Sequence, residues 1–508
     1  MESYRDRMSP SRRRVLIVGG GMAGTRLAQQ LAAPPVAVGT GSVEVTIIGE
    51  EPHAAYNRVL LAEVLAGRYG PEVIALPAPA AGVRRLSGVR VVRVDRPAAE
   101  VVCDDGHRVP YDALVLATGS NPVLPPLRGL FEPGGHDLPD GVHAFRTMDD
   151  CLALGAAVRP GARAVVIGGG LLGVSGARAL AQRGAQVVLA HQGEHLMERQ
   201  LDPGASGLLR RHVATLGVEV HTECRVRGLR TRSAYGEGGG GRAVSAVELA
   251  DGYALEADLV VLACGVRPRV GLARAAGLEV ARGVVIDDEL RTSDPRVFAI
   301  GDCAEHAGVV YGLAGAAQEQ ADVLARLLSP APPLPEPTGL RPLDPHGDSA
   351  PDPALGNRFV GNRSAEGAPP SGSWGRNEWA QTGHRAAPGN ETAPRYHGTR
   401  TLTRLTLTAA PRSAPAATTA APDGHSAPGP LDLAAFGNPT PAPGDDVIHL
   451  TDATRNTYRK VVVRGDRLLG GILLGDLGSV GALARTWESD EPLPASPLLH
   501  LLTTDGGS

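Results

Sequence analysis

Val15-Leu16-Ile17-Val18-Gly19-Gly20-Gly21-Met22-Ala23-Gly24 joins a short apolar run to a glycine turn and then to residues that suit a helix. Gly19, Gly21 and Gly24 fall in the pattern G-x-G-x-x-G, which acquires meaning only between a strand and a helix. There the first glycine permits the tight turn, the second lets a pyrophosphate approach the backbone, and the third lets helix and strand pack closely. Free N–H groups and the dipole at the helix N-terminus favour the anion. The arrangement recurs where Val165-Val166-Ile167 runs into Gly168-Gly169-Gly170-Leu171-Leu172-Gly173. One copy is a weak signal, because a glycine-rich strand-to-helix turn needs no ligand. Two copies in one chain imply two dinucleotides.

Length and composition narrow the alternatives. With 508 residues, 43% of them hydrophobic, the chain can form two or three domains with their own cores. A formal charge of −4 and the absence of a dense basic stripe exclude nucleic acid and an anionic membrane surface as expected partners. The segment Met1 to Arg14 is polar and arginine-rich and leads straight into the first strand, which is not the pattern of a secretory signal. No apolar run approaches the roughly 18 residues of a spanning helix, so a soluble, cytoplasmic protein is expected. The cysteines at 103, 151, 224, 264 and 303 show no C-x-x-C and no spacing that would hold zinc or an iron–sulfur cluster. Lys460 is the only lysine, so no lysine-dependent chemistry is available in the first 459 residues.

From Val15 to about Leu328 strands, glycine turns and helices alternate, the mark of doubly wound α/β domains. Val43 to Ile48 reads as the second strand of the first unit and ends at Gly49-Glu50. Tyr111 to Leu116 leads to Ala117-Thr118-Gly119, Leu259 to Ala263 leads to Cys264-Gly265, and Val297 to Ile300 leads to Gly301-Asp302. The order implies a second nucleotide domain inserted in the first. Residues 331–394 contain 12 Pro, 9 Gly and 4 Ser and cannot bury enough apolar surface to offset their ordering entropy. Leu402 to Thr408 alternates in strand fashion, and Tyr458 to Val463 with Leu468 to Leu474 reads as a hairpin about Gly465-Asp466. The expected division is thus a disordered tail 1–13, a first domain 14–125 with 266–330, an inserted domain 126–265, a disordered linker 331–394, and a small C-terminal domain 395–490 interrupted by a disordered insertion 411–444.

An acid about 20 residues past the glycines commonly binds the adenosine ribose. Glu50, 26 residues past Gly24, suits a 2′-OH in the first unit. In the second unit the corresponding strand ends at His191, 18 residues past Gly173, with no acid at its tip. A histidine can donate to a 2′-phosphate that a carboxylate would repel, so NADPH is tolerated there. The plainer alternative is that His191 is a solvated loop residue.

The two fingerprints, Ala117-Thr118-Gly119, and Thr292-Ser293-Asp294-Pro295 leading to Ala299-Ile300-Gly301-Asp302 together resemble the two-dinucleotide flavoprotein disulfide-reductase superfamily over residues 14–328. Tyr56-Asn57-Arg58-Val59-Leu60-Leu61 and Leu196-Met197-Glu198-Arg199-Gln200-Leu201-Asp202 are similar to the FAD part of NAD(P)H nitrite reductase large subunits and to the electron-transfer components of assimilatory nitrate reduction. Tyr458 to Val463 with Leu469 to Asp476 resembles the small C-terminal domain of the same group. The resemblance implies FAD on the first unit and NAD(P)H on the second. It places Gly19, Gly21, Met22, Ala23 and Gly24 on the FAD pyrophosphate and Glu50 on its ribose, with Arg58 near the cofactor. Thr118 and Gly119 close over it, and Asp302 accepts from the ribityl or pyrophosphate region, unless Asp302 is a plain helix N-cap. Gly168, Gly170, Leu171, Leu172, Gly173 and Gly265 line the NAD(P)H site by the same resemblance.

The sequence departs from the group in three ways. Leu60 to Ala66, where related disulfide reductases and oxidases carry a reactive cysteine, holds none, so disulfide chemistry is not expected. The lysine often found near the flavin is missing. No iron–sulfur ligand set or sirohaem domain is present, so electrons are expected to leave to a separate iron–sulfur, rubredoxin-like, nitrite or nitrate reductase partner. The alternatives are a flavin-bearing, redox-responsive interaction protein with low turnover and a rubredoxin or ferredoxin reductase.

Overall fold

The structure is a computed structural model that describes residues 13–32, 43–233, 241–329, 394–400, 402–408, 429–452, 454–493 and 502. The tail expected before residue 13, the linker through 393 and the part of the insertion at 411–428 lie outside the described residues.

The opening apolar run forms the strand Arg13–Val18, in which Val15, Leu16 and Ile17 are fully buried. Arg13, assigned to the tail from its polarity, is instead the first residue of this strand, where it pairs with Val43. The strand is the centre of a five-stranded sheet in the order Val297–Ala299, Ala113–Leu116, Arg13–Val18, Val43–Gly49, Arg84–Ser87, all parallel. Helices cover a parallel sheet on its faces, which is why the central strand is continuously apolar rather than alternating. Helix Met22–Leu31 buries Leu27 and Ala28 and packs beside helix Ala314–Leu328, to which Arg26 is tied by a two-pronged ion pair with Asp322.

The second unit repeats this plan. Its sheet runs Val218–His221, Gln186–Ala190, Arg163–Ile167, Leu259–Leu262, Val142–Ala144, again all parallel and again centred on the fingerprint strand. In both units the chain moves to one side of the central strand and then returns on the other, so each fingerprint turn lies at the switch point where open α/β sheets take ligands. A three-stranded antiparallel accessory sheet accompanies each unit, at 91–110 and at 226–256. The second domain is inserted in the first, and the outgoing segment Ser120–Pro122 pairs antiparallel with the returning segment Val266–Pro268.

The C-terminal domain is a five-stranded antiparallel sheet in the order Leu402–Leu407, Leu431–Gly437, Arg467–Leu474, Thr457–Arg464, Asp446–Asp452, followed by helix Val480–Ser489. The strand Leu431–Gly437 corrects the expected disorder across 411–444. Its neighbours are rich in proline, yet Leu431, Leu433, Ala434, Ala435 and Phe436 are buried and the strand pairs on both edges. Tyr396 is a second correction, because it was grouped with the C-terminal domain yet packs in the core of the first unit against His306 and Tyr311. A lone tyrosine in a polar stretch has no periodicity to reveal this.

The C-terminal sheet docks on the helices of the second unit. Leu407, Leu433, Tyr458 and Ile472 share one apolar cluster with Val174, Ala177 and Leu208, and Leu61 and Leu65 of the first unit join it. Asp202 caps helix Pro203–Thr215 through the Ala205 N–H and also accepts from the Tyr458 hydroxyl at 2.6 Å and the Lys460 ammonium at 2.8 Å. The side chains of Lys460 and Asp202 are 13% and 18% exposed. Burial pushes the Asp202 carboxyl up, and the Lys460 and Tyr458 donors outweigh that, leaving it below the ordinary carboxylate value.

Candidate active site

Both glycine turns meet the same steric test. At Gly19, φ is +124° and a β-carbon would collide with the carbonyl oxygen of Ala117 on the neighbouring strand. At Gly168, φ is +118° and the collision is with Ala263, the matching position of the second sheet. A β-carbon on Gly24 would strike the Gly19 carbonyl, and one on Gly173 would strike the Gly168 carbonyl. These glycines close the helix onto its own turn. Gly21 and Gly170 differ, since a β-carbon on either would meet nothing within 4 Å. The open side of each turn faces a cleft of about 1600 Å³. No side chain caps either helix, so their N-terminal N–H groups are left for another acceptor. This cradle fits a pyrophosphate in each unit, because the space at the middle glycine is what the phosphate needs.

The cleft is continuous across the two units. From the first it takes Gly19, Gly21, Met22 and Ala23, together with Glu50, Arg58, Thr118, Gly119 and Asp302. From the second it takes Gly168, Gly170, Leu171, Leu172, His191 and Gly265. Gly24 and Gly173 stand behind the turns and do not line it. Gly119 and Gly265 end corresponding strands with φ of +73° and +95°.

Among the described residues, three arginine–carboxylate pairs arrange charges in the cleft. Arg146 pairs with Asp302 and also donates to the Ser120 hydroxyl at 2.6 Å, while Ser120 donates to Asp302 at 2.8 Å. Arg58 pairs with Glu51, donates to the Arg146 carbonyl at 3.0 Å and lies over the Tyr56 ring. Glu50 accepts from Arg269 at 2.6 Å. Asp302 sits in the short turn Gly301–Cys303, and Gly301 donates its N–H to the buried Gln320. Asp302 is therefore not the N-cap of helix Ala314–Leu328, whose preceding residue is Leu313.

His191 is occupied by its own turn. Its Nδ1 accepts from the Gly169 N–H at 3.1 Å and its Nε2 faces the His195 carbonyl at 3.0 Å, an arrangement suited to a neutral ring donating through Nε2. Donation to a 2′-phosphate, expected from the sequence, requires one of these contacts to break.

Arg146, Glu51, Ser120 and Arg269 were missed by reasoning from sequence. Arg146 had a faint signal. Thr147 and Asp150 form a capping box on helix Met148–Ala157, a T-x-x-D pattern legible in the chain, and Arg146 immediately precedes it. Its partner Asp302 lies 156 residues on, which no local pattern indicates.

All five thiols are pushed up by burial, Cys151 and Cys264 to about 11. Cys264 and Cys224 line the cleft, and neither has the depressed value of a nucleophilic cysteine.

Residues 13–321 match the family described as pyridine nucleotide-disulphide oxidoreductase. The chain belongs to this family. The cofactors of this pyridine nucleotide-disulphide oxidoreductase are FAD and NAD(P)H. Residues 430–490 match the rubredoxin NAD+ reductase C-terminal domain. Among curated relatives, a nitrite reductase [NAD(P)H] of Bacillus subtilis (strain 168) is 36% identical over 328 residues, 62% of this chain and 37% of the relative. An assimilatory nitrate reductase electron transfer subunit of the same organism is 34% identical over 318 residues, 62% of this chain and 39% of the relative. The nitrite reductase [NAD(P)H] large subunit of Klebsiella oxytoca is 29% identical over 502 residues, 97% of this chain and 42% of the relative. The matched stretch thus spans well under half of each of these relatives. Among solved structures, that of the covalent putidaredoxin reductase–putidaredoxin complex superposes with a TM-score of 0.68 at 22% identity, covering 96% of this chain and 98% of that one. NADH:rubredoxin oxidoreductase from Clostridium acetobutylicum superposes with a TM-score of 0.59 at 17% identity, covering 96% and 98%. These two likenesses show the fold. No helix among the described residues is long and apolar enough to cross a membrane.

Proposed function

We propose that this oxidoreductase takes electrons from NAD(P)H held on the second unit, passes them to FAD held on the first, and delivers them to a separate redox protein. The observation that carries this reading is the continuous cleft joining both glycine cradles, whose two lining thiols, Cys224 and Cys264, are pushed up by burial. With both cofactors bound, the nicotinamide supplies hydride and the flavin releases electrons singly or in pairs. The chain's own residues position and shield. Gly19, Gly21, Met22, Ala23 and Gly24 shape the first pyrophosphate cradle, and Gly168, Gly170, Leu171, Leu172 and Gly173 shape the second. Glu50 would accept from a ribose hydroxyl, Thr118 and Gly119 would close over the cofactor, and Asp302, paired with Arg146, would face its ribityl or pyrophosphate region. Arg58, held by Glu51, is one of the cations that line the cleft, with Arg146 and Arg269.

The acceptor class, an iron–sulfur, rubredoxin-like, nitrite or nitrate reductase protein, is supported by the names of the relatives and by the C-terminal domain match. A role in nitrite or nitrate assimilation is the reading those relatives favour. Steady-state assays of the full chain with NADH or NADPH test it. Ferricyanide, cytochrome c and rubredoxin are expected to be reduced briskly, while an aromatic disulfide is reduced no faster than by free flavin. Disulfide reduction abolished by alkylation would contradict it, as would slow flavin reduction without turnover.

A further inference from the structure

The pair between Glu50 and Arg269 spans 219 positions of sequence and joins the acid at the tip of strand Val43–Gly49 to the point where the chain re-enters the first unit. Arg269 is held through both its main chain and its side chain. Its N–H donates to the Gly119 carbonyl at 2.9 Å, its carbonyl accepts from the Thr118 hydroxyl at 2.9 Å, and its Nε donates to Asn121. It follows directly on Val266–Pro268, which is paired with Ser120–Pro122. The guanidinium takes Oε2 of Glu50 through Nη1, and Oε1 has no hydrogen-bond partner among the described residues. The carboxylate, which lines the cleft, therefore keeps one oxygen free of Arg269, and the guanidinium that takes the other is itself held by the Asn121 side chain.

We infer that Arg269 is a positioning residue: it holds Glu50 toward the ribose of the first dinucleotide and so sets the preference for FAD over FMN, which rests on FAD occupying the first unit as proposed above. The physical case is one of orientation rather than stability. The Glu50 and Arg269 side chains are 44% and 39% exposed, and exposed pairs add little to folding. A carboxylate on a strand tip without such a partner samples several rotamers, and a ligand must then order it on binding. FMN lacks the adenosine ribose, so its affinity does not depend on the orientation of Glu50.

The experiment is flavin titration of the full-length chain stripped of its flavin, followed by quenching of flavin fluorescence, with FAD and FMN as the two probes. Arg269→Ala is expected to weaken FAD about tenfold while FMN stays within about twofold, and Arg269→Lys to recover part of the loss. Glu50→Gln is expected to weaken FAD as well, and the double variant to be no worse than Glu50→Gln alone, because Arg269 acts through Glu50. Equal losses of FAD and FMN in Arg269→Ala, or losses that multiply in the double variant, overturn the inference. If Glu50→Gln weakens FAD and Arg269→Ala does not, the inference fails and FAD on the first unit stands. If Glu50→Gln leaves FAD unchanged and weakens NAD(P)H instead, the assignment of FAD to the first unit fails with it.

Discussion

At Gly21 the space that a side chain would fill is the space a phosphate needs. Gly24, three residues on, has its empty face against the Gly19 carbonyl. The two glycines therefore separate binding from folding. Gly21→Ala is expected to change stability by less than about 1 kcal/mol and to weaken FAD more than tenfold. Gly24→Ala is expected to cost about 1–3 kcal/mol through overpacking, seen as a lower melting temperature of the flavin-free chain. The thiols give a second test at this scale. The Cys264 thiol, pushed up to about 11 by burial, is almost wholly protonated at pH 8. Its alkylation should quicken as pH rises toward 11, and Cys264→Ser should leave NAD(P)H-driven ferricyanide reduction within about twofold. Peptide mapping after alkylation at stepped pH checks the first expectation and steady-state rates the second. The steric demands at Gly19 and Gly24 were legible in the chain because each is a local demand on one residue's backbone. Arg146 and Arg269 were not, because what defines them is a partner 156 or 219 residues away.

Among the described residues, the C-terminal domain is anchored by charge at the N-terminus of helix Pro203–Thr215. Asp202 serves both as its cap and as the acceptor for Tyr458 and Lys460. Lys460→Met leaves a mostly buried carboxylate without its cation, and a loss of about 3 kcal/mol in docking of the C-terminal domain is expected. Limited proteolysis between the second unit and the C-terminal sheet measures it. The sign of the pH dependence follows from the lowered carboxyl. A folded-state value below that of the undocked state contributes stability that is fully present above the undocked value and is lost as pH falls through the folded one. Docking should therefore persist at neutral pH and down to the ordinary carboxylate range, then weaken under stronger acid, and Asp202→Asn should remove that acid transition. The strands Thr457–Arg464 and Arg467–Leu474 were readable from two apolar runs and the glycine turn between them. Leu431–Gly437 was concealed, because the prolines and glycines around it dominate any window of composition, while the pairing that orders it comes from strands on both of its edges.

For the whole molecule, the two parallel sheets share one plan, and their fingerprint turns open on one cleft. The duplication was visible in the sequence because each unit carries its own strand, turn and helix in order. Their convergence on a single cleft was not, since it depends on the paired crossings Ser120–Pro122 and Val266–Pro268, which bring residues far apart in the chain together. If one cradle serves each cofactor, the units are separable by mutation. Gly170→Ala should retain bound FAD and lose NAD(P)H affinity, whereas Gly21→Ala should lose FAD. Anaerobic rapid mixing of the FAD-loaded full chain with NADH and with NADPH is the most direct test of electron flow from the second unit to the first. The expected result is rapid loss of the flavin's visible absorbance with at least one of the two nucleotides, slowed severely in Gly170→Ala at unchanged flavin content. A bound flavin that neither nucleotide bleaches, or one bleached equally fast in Gly170→Ala at low nucleotide, would contradict it.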